Sequence, residues 1–160
     1  MSMRSFFPII LFCIGIVGQL PAQTAANVRV VNAVPVKLKN FGGGIESWAY
    51  KITLQNATAN DLADLEIRYR VYLYTELNAD HKAAVPVSFN EYKMPLAALK
   101  GRATDDLTTP GMDVALGSAK VDAGREIFQG IWIRVFTKEG KELGALPKLK
   151  ASLAKKMPWN

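Results

Sequence analysis

The chain has a single cysteine, Cys13, and a single histidine, His81, among its 160 residues. Cys13 lies inside an N-terminal apolar run that reads as a cleaved leader, so the mature chain holds no thiol. That excludes disulfides, cysteine-based zinc sites, iron–sulfur clusters and thiol nucleophiles. His81 sits in the polar stretch Asn78-Ala79-Asp80-His81-Lys82. A Ser-His-Asp arrangement has no other histidine to use, and no nucleophile-elbow motif accompanies it. One imidazole beside Asp80 is also too few ligands for a metal, so His81 reads as a solvated loop residue. Acidic residues are outnumbered, 14 against 20 lysines and arginines, for a net charge of +6.

Long apolar runs are confined to the start. The cationic head Met1-Ser2-Met3-Arg4 precedes the apolar stretch from Ser5 to Gly18, then the small-residue stretch Leu20-Pro21-Ala22-Gln23. This is the pattern of a secretory signal peptide over residues 1–22, with cleavage after Ala22 and alternatives at Thr24 to Ala26. As a helix the apolar stretch reaches ~21 Å, short of the roughly 30 Å of a bilayer core. No stop-transfer charges follow it, and the bulky Phe12 argues against Cys13 as a lipoprotein cysteine. The remaining residues, 23–160, have the size of one domain and no transmembrane span. The expected location is exported, periplasmic or extracellular. Export makes the positive charge a poor argument for nucleic acid, for which no motif is present. The charge suits an anionic surface, a glycan or an acidic protein, or simply solubility.

The mature chain reads as strands separated by turn chemistry. Residues 27–39 are valine-rich, with Pro35 marking an edge or a switch between strands. Asn40 to Gly44 form a glycine-rich turn with no Gly-Lys-Ser/Thr behind it, hence no phosphate loop. In residues 48–55, Trp48, Tyr50, Ile52 and Leu54 alternate with Ala49, Lys51, Thr53 and Gln55, the mark of a half-buried strand. After the loop 56–61 a second strand runs from Leu65 to Glu76. Leu65, Ile67, Tyr69, Val71 and Leu73 point one way, and Glu66, Arg68, Arg70, Tyr72 and Tyr74 the other.

Short strands are expected at 84–93, 95–102 and 113–120, with a turn-rich stretch at 103–112 around Pro110-Gly111. Residues 126–137 and 142–145 form a strand pair joined at Gly140. In the first of these, Ile127, Ile131, Ile133 and Val135 are assigned to one face and Phe128, Trp132, Arg134 and Phe136 to the other. Only the end reads as helix, at about 147–156: Leu146, Leu149 and Leu153 share a stripe, Pro147 suits a first turn, and Lys155 and Lys156 complement the dipole.

Two carboxylate pairs, Asp61/Asp64 and Asp105/Asp106, fall in expected loops. Without a facing geometry they read as turn formers, and no calcium-loop pattern surrounds Asp105, Asp106 and Thr108. Asn56-Ala57-Thr58 is a glycosylation sequon in a suitable host. The sharper feature is the stripe Arg68, Arg70, Tyr72 and Tyr74, joined by Trp132 from the later strand. Arginine and aromatic residues are typical of binding surfaces. Strands apolar on both faces are also typical of a covered sheet. The competing expectation is therefore that the two strands are neighbours, with the C-terminal helix covering their outer face through Leu149, Leu153 and Trp159.

The segment from Ile52 to Asn56, followed by Leu65 to Tyr74, resembles the FxLYD-type immunoglobulin-like domains of bacterial envelope proteins. Asn56 and Leu73-Tyr74 match that pattern, and Thr75 stands where those domains carry aspartate. The resemblance implies a sandwich fold and a noncatalytic role, and carries no site residues.

The expected fold is an all-β, immunoglobulin-like antiparallel β-sandwich of about seven strands with a short C-terminal α-helix. The expected function is noncatalytic binding or assembly in the bacterial cell envelope, with no cofactor and no metal. An envelope protein or a glycan is the expected partner. Arg68, Arg70, Tyr72, Tyr74 and Trp132 are the candidate binding residues. A carbohydrate-binding module using Tyr72, Tyr74 and Trp132 is the second expectation, and a hydrolase built on loop carboxylates the third.

Overall fold

The computed structural model describes residues 26–76, 87–115 and 125–159. The expected leader, His81 and the distal part of the 113–120 strand lie outside them. Among the described residues eight strands and one helix follow in chain order: β1 (Val28–Gly42), β2 (Ile45–Asn56), β3 (Leu62–Glu76), β4 (Ser88–Leu99), β5 (Thr104–Thr108), β6 (Met112–Ala115), β7 (Arg125–Thr137), β8 (Glu142–Leu149) and α1 (Ala151–Lys156). One sheet has the order β1-β2-β5, with β6 also paired to β2, and the other β4-β3-β7-β8. Every pairing is antiparallel. The chain changes sheet after β2, after β4 and after β6, as an immunoglobulin-like sandwich requires. The chain thus forms an all-β sandwich with one short C-terminal helix.

The period-2 patterns become the core. Tyr50, Ile52 and Leu54 of β2 meet Leu65, Ile67, Tyr69, Val71 and Leu73 of β3 and Ile131, Ile133 and Val135 of β7, all buried. Successive Cβ atoms point to opposite faces of a strand, so alternation hands one whole set to the interior. Each such aliphatic side chain contributes about 1.5–3 kcal/mol on burial.

Prolines mark the rims. Pro35, Pro95 and Pro147 lie in β1, β4 and β8, which are edge strands. An edge position tolerates the missing N–H that a central strand cannot. Pro147 therefore does not start a helix as the sequence suggests. It continues β8 opposite Trp132, and α1 begins at Ala151.

Other expectations shift with register. The strands expected at 84–93 and 95–102 are one strand, β4, running through Pro95 on its edge. Residues 104–108, expected as turn, form β5 because they complete the ladder on β2. Asp105 and Asp106 are consequently strand neighbours on opposite faces rather than a loop pair. β5 and β6 are separate pieces pairing with the same strand, which raises the strand count above the expected seven or so.

The most consequential departure is in β7. Tyr72 pairs with Gly130, whereas Leu73 pairs with Phe128, so Gln129 is an extra residue in the ladder. Gly130 takes φ 143°, a conformation that side-chain-bearing residues rarely adopt. The bulge reverses the alternation on its N-terminal side. Phe128 thereby turns into the core, edge-on to Trp48 at 5.6 Å and to Tyr50 at 6.1 Å between ring centroids. Ile127 turns outward beside Tyr74. The sequence assignment of these two residues is thus inverted.

Candidate binding face

The outer face of the second sheet is built by register. Glu66, Arg68, Arg70 and Tyr72 of β3 lie between Lys93, Glu91 and Phe89 of β4 on one side and Phe136, Arg134 and Trp132 of β7 on the other. Arg68 stands directly opposite Arg134. Like charges at that spacing repel, and two devices offset the repulsion. The Phe136 ring lies 4.4 Å from the Arg68 guanidinium and 5.0 Å from that of Arg134. A carboxylate also pairs with each arginine: Glu66 with Arg68, and Glu142 of β8 with Arg134.

Arg70 repeats the arrangement. Its Nε donates to Glu91 Oε2 at 2.8 Å, and its guanidinium lies 4.4 Å from the Phe89 ring and 4.5 Å from Trp159. The side chains of Arg70 and Arg134 are only 16% and 20% exposed, against 33% for Arg68. Their cation–π contacts therefore lie toward the desolvated end of a range of about 0.5–2 kcal/mol.

Trp159 is the C-terminal element of this face. Its ring stands edge-on to Trp132, 6.1 Å between centroids at 85°, and 5.4 Å from the Arg134 guanidinium. Its carbonyl oxygen accepts from Arg134 Nη1 at 3.3 Å. Of the expected cover, the single residue Trp159 sits on Trp132 and the arginines. α1 has no buried residue and no side-chain cap. A hollow of about 500 Å³ lined by Val87, Gln129, Leu153 and Met157 lies beside it.

The candidate residues thus have different roles. Arg68, Arg70 and Trp132 belong to one interleaved arginine–aromatic array, while Tyr74 is half-buried beside Ile127. Tyr72 is fully buried although it belongs to the outer face, its ring 5.7 Å from Phe89. Its Oη is buried and accepts or donates no hydrogen bond of good geometry among the described residues. Burial pushes its pKa above the ordinary tyrosine value, against the pull of the nearby Arg70 guanidinium. Phe89, Glu91 and Glu142 complete the array and were not singled out from the sequence. The alternation of Phe89, Glu91 and Lys93 within the strand expected at 84–93 is the available signal, but their place beside Arg68, Arg70 and Tyr72 is set by pairing with β3.

Other sequence candidates resolve structurally. Asn56 is 1% exposed. Its Nδ2 donates to the Asn60 and Leu99 carbonyls at 2.8 and 3.1 Å, and its Oδ1 accepts from Thr58 N and Oγ1 at 2.9 and 2.8 Å. The sequon asparagine is a buried clasp between loop and β4, not an open glycan acceptor. Asp61 accepts from Gly101 N at 2.8 Å, and Asp106 pairs with Lys51 at 2.9 Å and with Thr53 Oγ1 at 2.7 Å. Among the described residues no three His, Cys, Asp or Glu side chains are grouped to hold a metal, and no helix is long and apolar enough to cross a membrane.

No protein-family model matches the chain, and no curated protein does. Three solved structures are similar in outline. A structural-genomics target, SoR45, is 11% identical with TM-score 0.37, over 79% of this chain and 89% of that one. A Bordetella pertussis protein described as ApaA is 13% identical with TM-score 0.34, over 76% and 87%. The Escherichia coli curli protein CsgC is 7% identical with TM-score 0.30, over 72% and 99%. Likeness at this level bears on no functional residue.

Proposed function

We propose that this chain is an exported, noncatalytic recognition module of the bacterial cell envelope, and that it binds a protein partner through the outer face of its second sheet. The N-terminal leader pattern supports the compartment. One observation carries the binding reading: Arg68, Arg70 and Arg134 are each stacked on an aromatic ring and each paired with a carboxylate. Side chains held in this way lose little further freedom on association. Arginine and tryptophan are also the residues that most often dominate binding energy at protein interfaces. The paired carboxylates balance the guanidinium charge, which suits a mixed protein surface better than a polyanion. The glycan reading has less support, because Tyr72 is buried and Trp132 carries Trp159, leaving neither as a bare aromatic platform.

The test is site-specific photocrosslinking in the periplasm. A photoreactive group in place of Phe89, which is 38% exposed at the rim of the array, is expected to capture a discrete protein. Arg68→Ala is expected to diminish the product, and the same group in place of Lys51 on the opposite sheet is expected to give none. Equal products from both positions, or none from Phe89, contradict the reading.

A further inference from the structure

We infer that Trp159 is a resident plug in a ring-binding box formed by Arg70, Trp132 and Arg134, and that the box accepts an aromatic side chain from an extended segment of a protein partner in its place. This rests on the reading of the outer face as a recognition surface. Two guanidiniums, at 4.5 and 5.4 Å from the indole, and the Trp132 ring at 6.1 Å form the walls. A further contact holds backbone rather than ring, the donation from Arg134 Nη1 to the Trp159 carbonyl. The box therefore selects a flat π-system attached to a peptide carbonyl, which a tryptophan or tyrosine in an extended segment presents. Negative charge is not what it selects, because Glu91 and Glu142 already pair with its two arginines.

The hold on Trp159 is local. Between β8 and Trp159 the chain forms only the six residues of α1, none of them buried, and Pro158 is exposed. Swinging the ring away breaks no sheet pairing. A tethered occupant competes at an effective concentration of order millimolar. A partner overcomes this by contacting Arg68 and Phe89 alongside the box, and both remain partly exposed. Removing the plug raises the apparent affinity for an aromatic ligand by the inverse of the open fraction.

The probe is an N-acetylated peptide of residues 155–160, Lys-Lys-Met-Pro-Trp-Asn, with a counterpart carrying alanine for tryptophan. Binding to the mature chain is followed by isothermal titration calorimetry, and in chains that keep Trp132 also by its indole N–H resonance. The Trp159→Ala chain is expected to bind the tryptophan peptide at least about tenfold more tightly than the unaltered chain, and to ignore the alanine peptide. Trp132→Ala combined with Trp159→Ala is expected to lose that binding. If Trp159→Ala does not fold, Trp159→Leu keeps an apolar cover without the ring and is read in the same way. Equal affinities of the unaltered and plug-less chains, or no binding to the plug-less chain, overturn the inference. In that case a persistent Arg68-dependent crosslink from Phe89 leaves the recognition reading standing, and loss of the crosslink removes both.

Discussion

Gly144 of β8 passes so close to Val28 of β1 that a Cβ at position 144 overlaps the Val28 carbonyl oxygen. This approach brings together the edges of the two sheets. Lys148 reinforces it, its Nζ donating to Asn32 Oδ1 at 2.9 Å and to the Ala33 carbonyl at 2.7 Å. Because the obstacle is backbone rather than a mobile side chain, Gly144→Ala must part the two strands. The expected loss is about 2–3 kcal/mol, at the upper end of overpacking costs. Urea unfolding measures it, and an unchanged midpoint contradicts the contact.

Asn56 makes its hydrogen bonds where water does not reach. Asn56→Ala removes both ends of the clasp and leaves the Leu99 carbonyl without its side-chain donor. A loss of about 2–3 kcal/mol follows for a buried network of this kind. In a glycosylating host the folded secreted chain is expected to carry no glycan at Asn56. Folded protein with an occupied sequon, shown by intact mass, contradicts the burial.

Gly130 answers to two constraints at once. Its φ of 143° is strained for any side chain, and a Cβ there collides with the Lys148 carbonyl and Leu149. Gly130→Ala is expected to cost about 2–4 kcal/mol, combining backbone strain with overpacking. It is also expected to perturb the near-ultraviolet circular dichroism of the Phe128–Trp48 cluster. Retained stability and an unchanged spectrum count against the bulge.

Tyr50 links the core to pH. Burial pushes its pKa from 10.0 up to about 12. The folded state therefore holds the neutral phenol more tightly than the unfolded chain does. The resulting stability is fully present below pH 10 and is lost as pH rises toward about 12. By that point the loss amounts to roughly 2–3 kcal/mol, at about 1.4 kcal/mol per unit. Tyr50→Phe is expected to lessen the alkaline loss without abolishing it, since burial also raises Tyr69 and Tyr72. Parallel urea midpoints for the two proteins between pH 8 and 11.5 decide it.

The inward stripes of β2 and β3 were legible because alternation is local. Leu65 and Leu73 face the same way whatever surrounds them, provided the strand is regular. The helix boundary and β5 were less legible. Pro147 satisfies a helix start as well as an edge strand, and Thr104 to Thr108 become a strand only through their pairing with β2. The arginine stripe could be seen as a stripe, but its chemistry could not. Glu91, Glu142, Phe89 and Trp159 reach it across strand pairings and from the end of the chain.

The amino-acid sequence by itself determined the single cysteine within the N-terminal apolar run, the all-β class and the inward sets of β2 and β3. These depend on composition and on a two-residue period. Tertiary structure decided the rest: the parity of β7 across Gln129 and Gly130, the burial of Tyr72 and Asn56, and the cover that Trp159 places over Arg70, Trp132 and Arg134. The reason is physical. A bulge adds one residue to one strand only, and a capping ring finds its box across 25 residues from Arg134 to Trp159. Neither leaves a periodic trace in the chain that contains it.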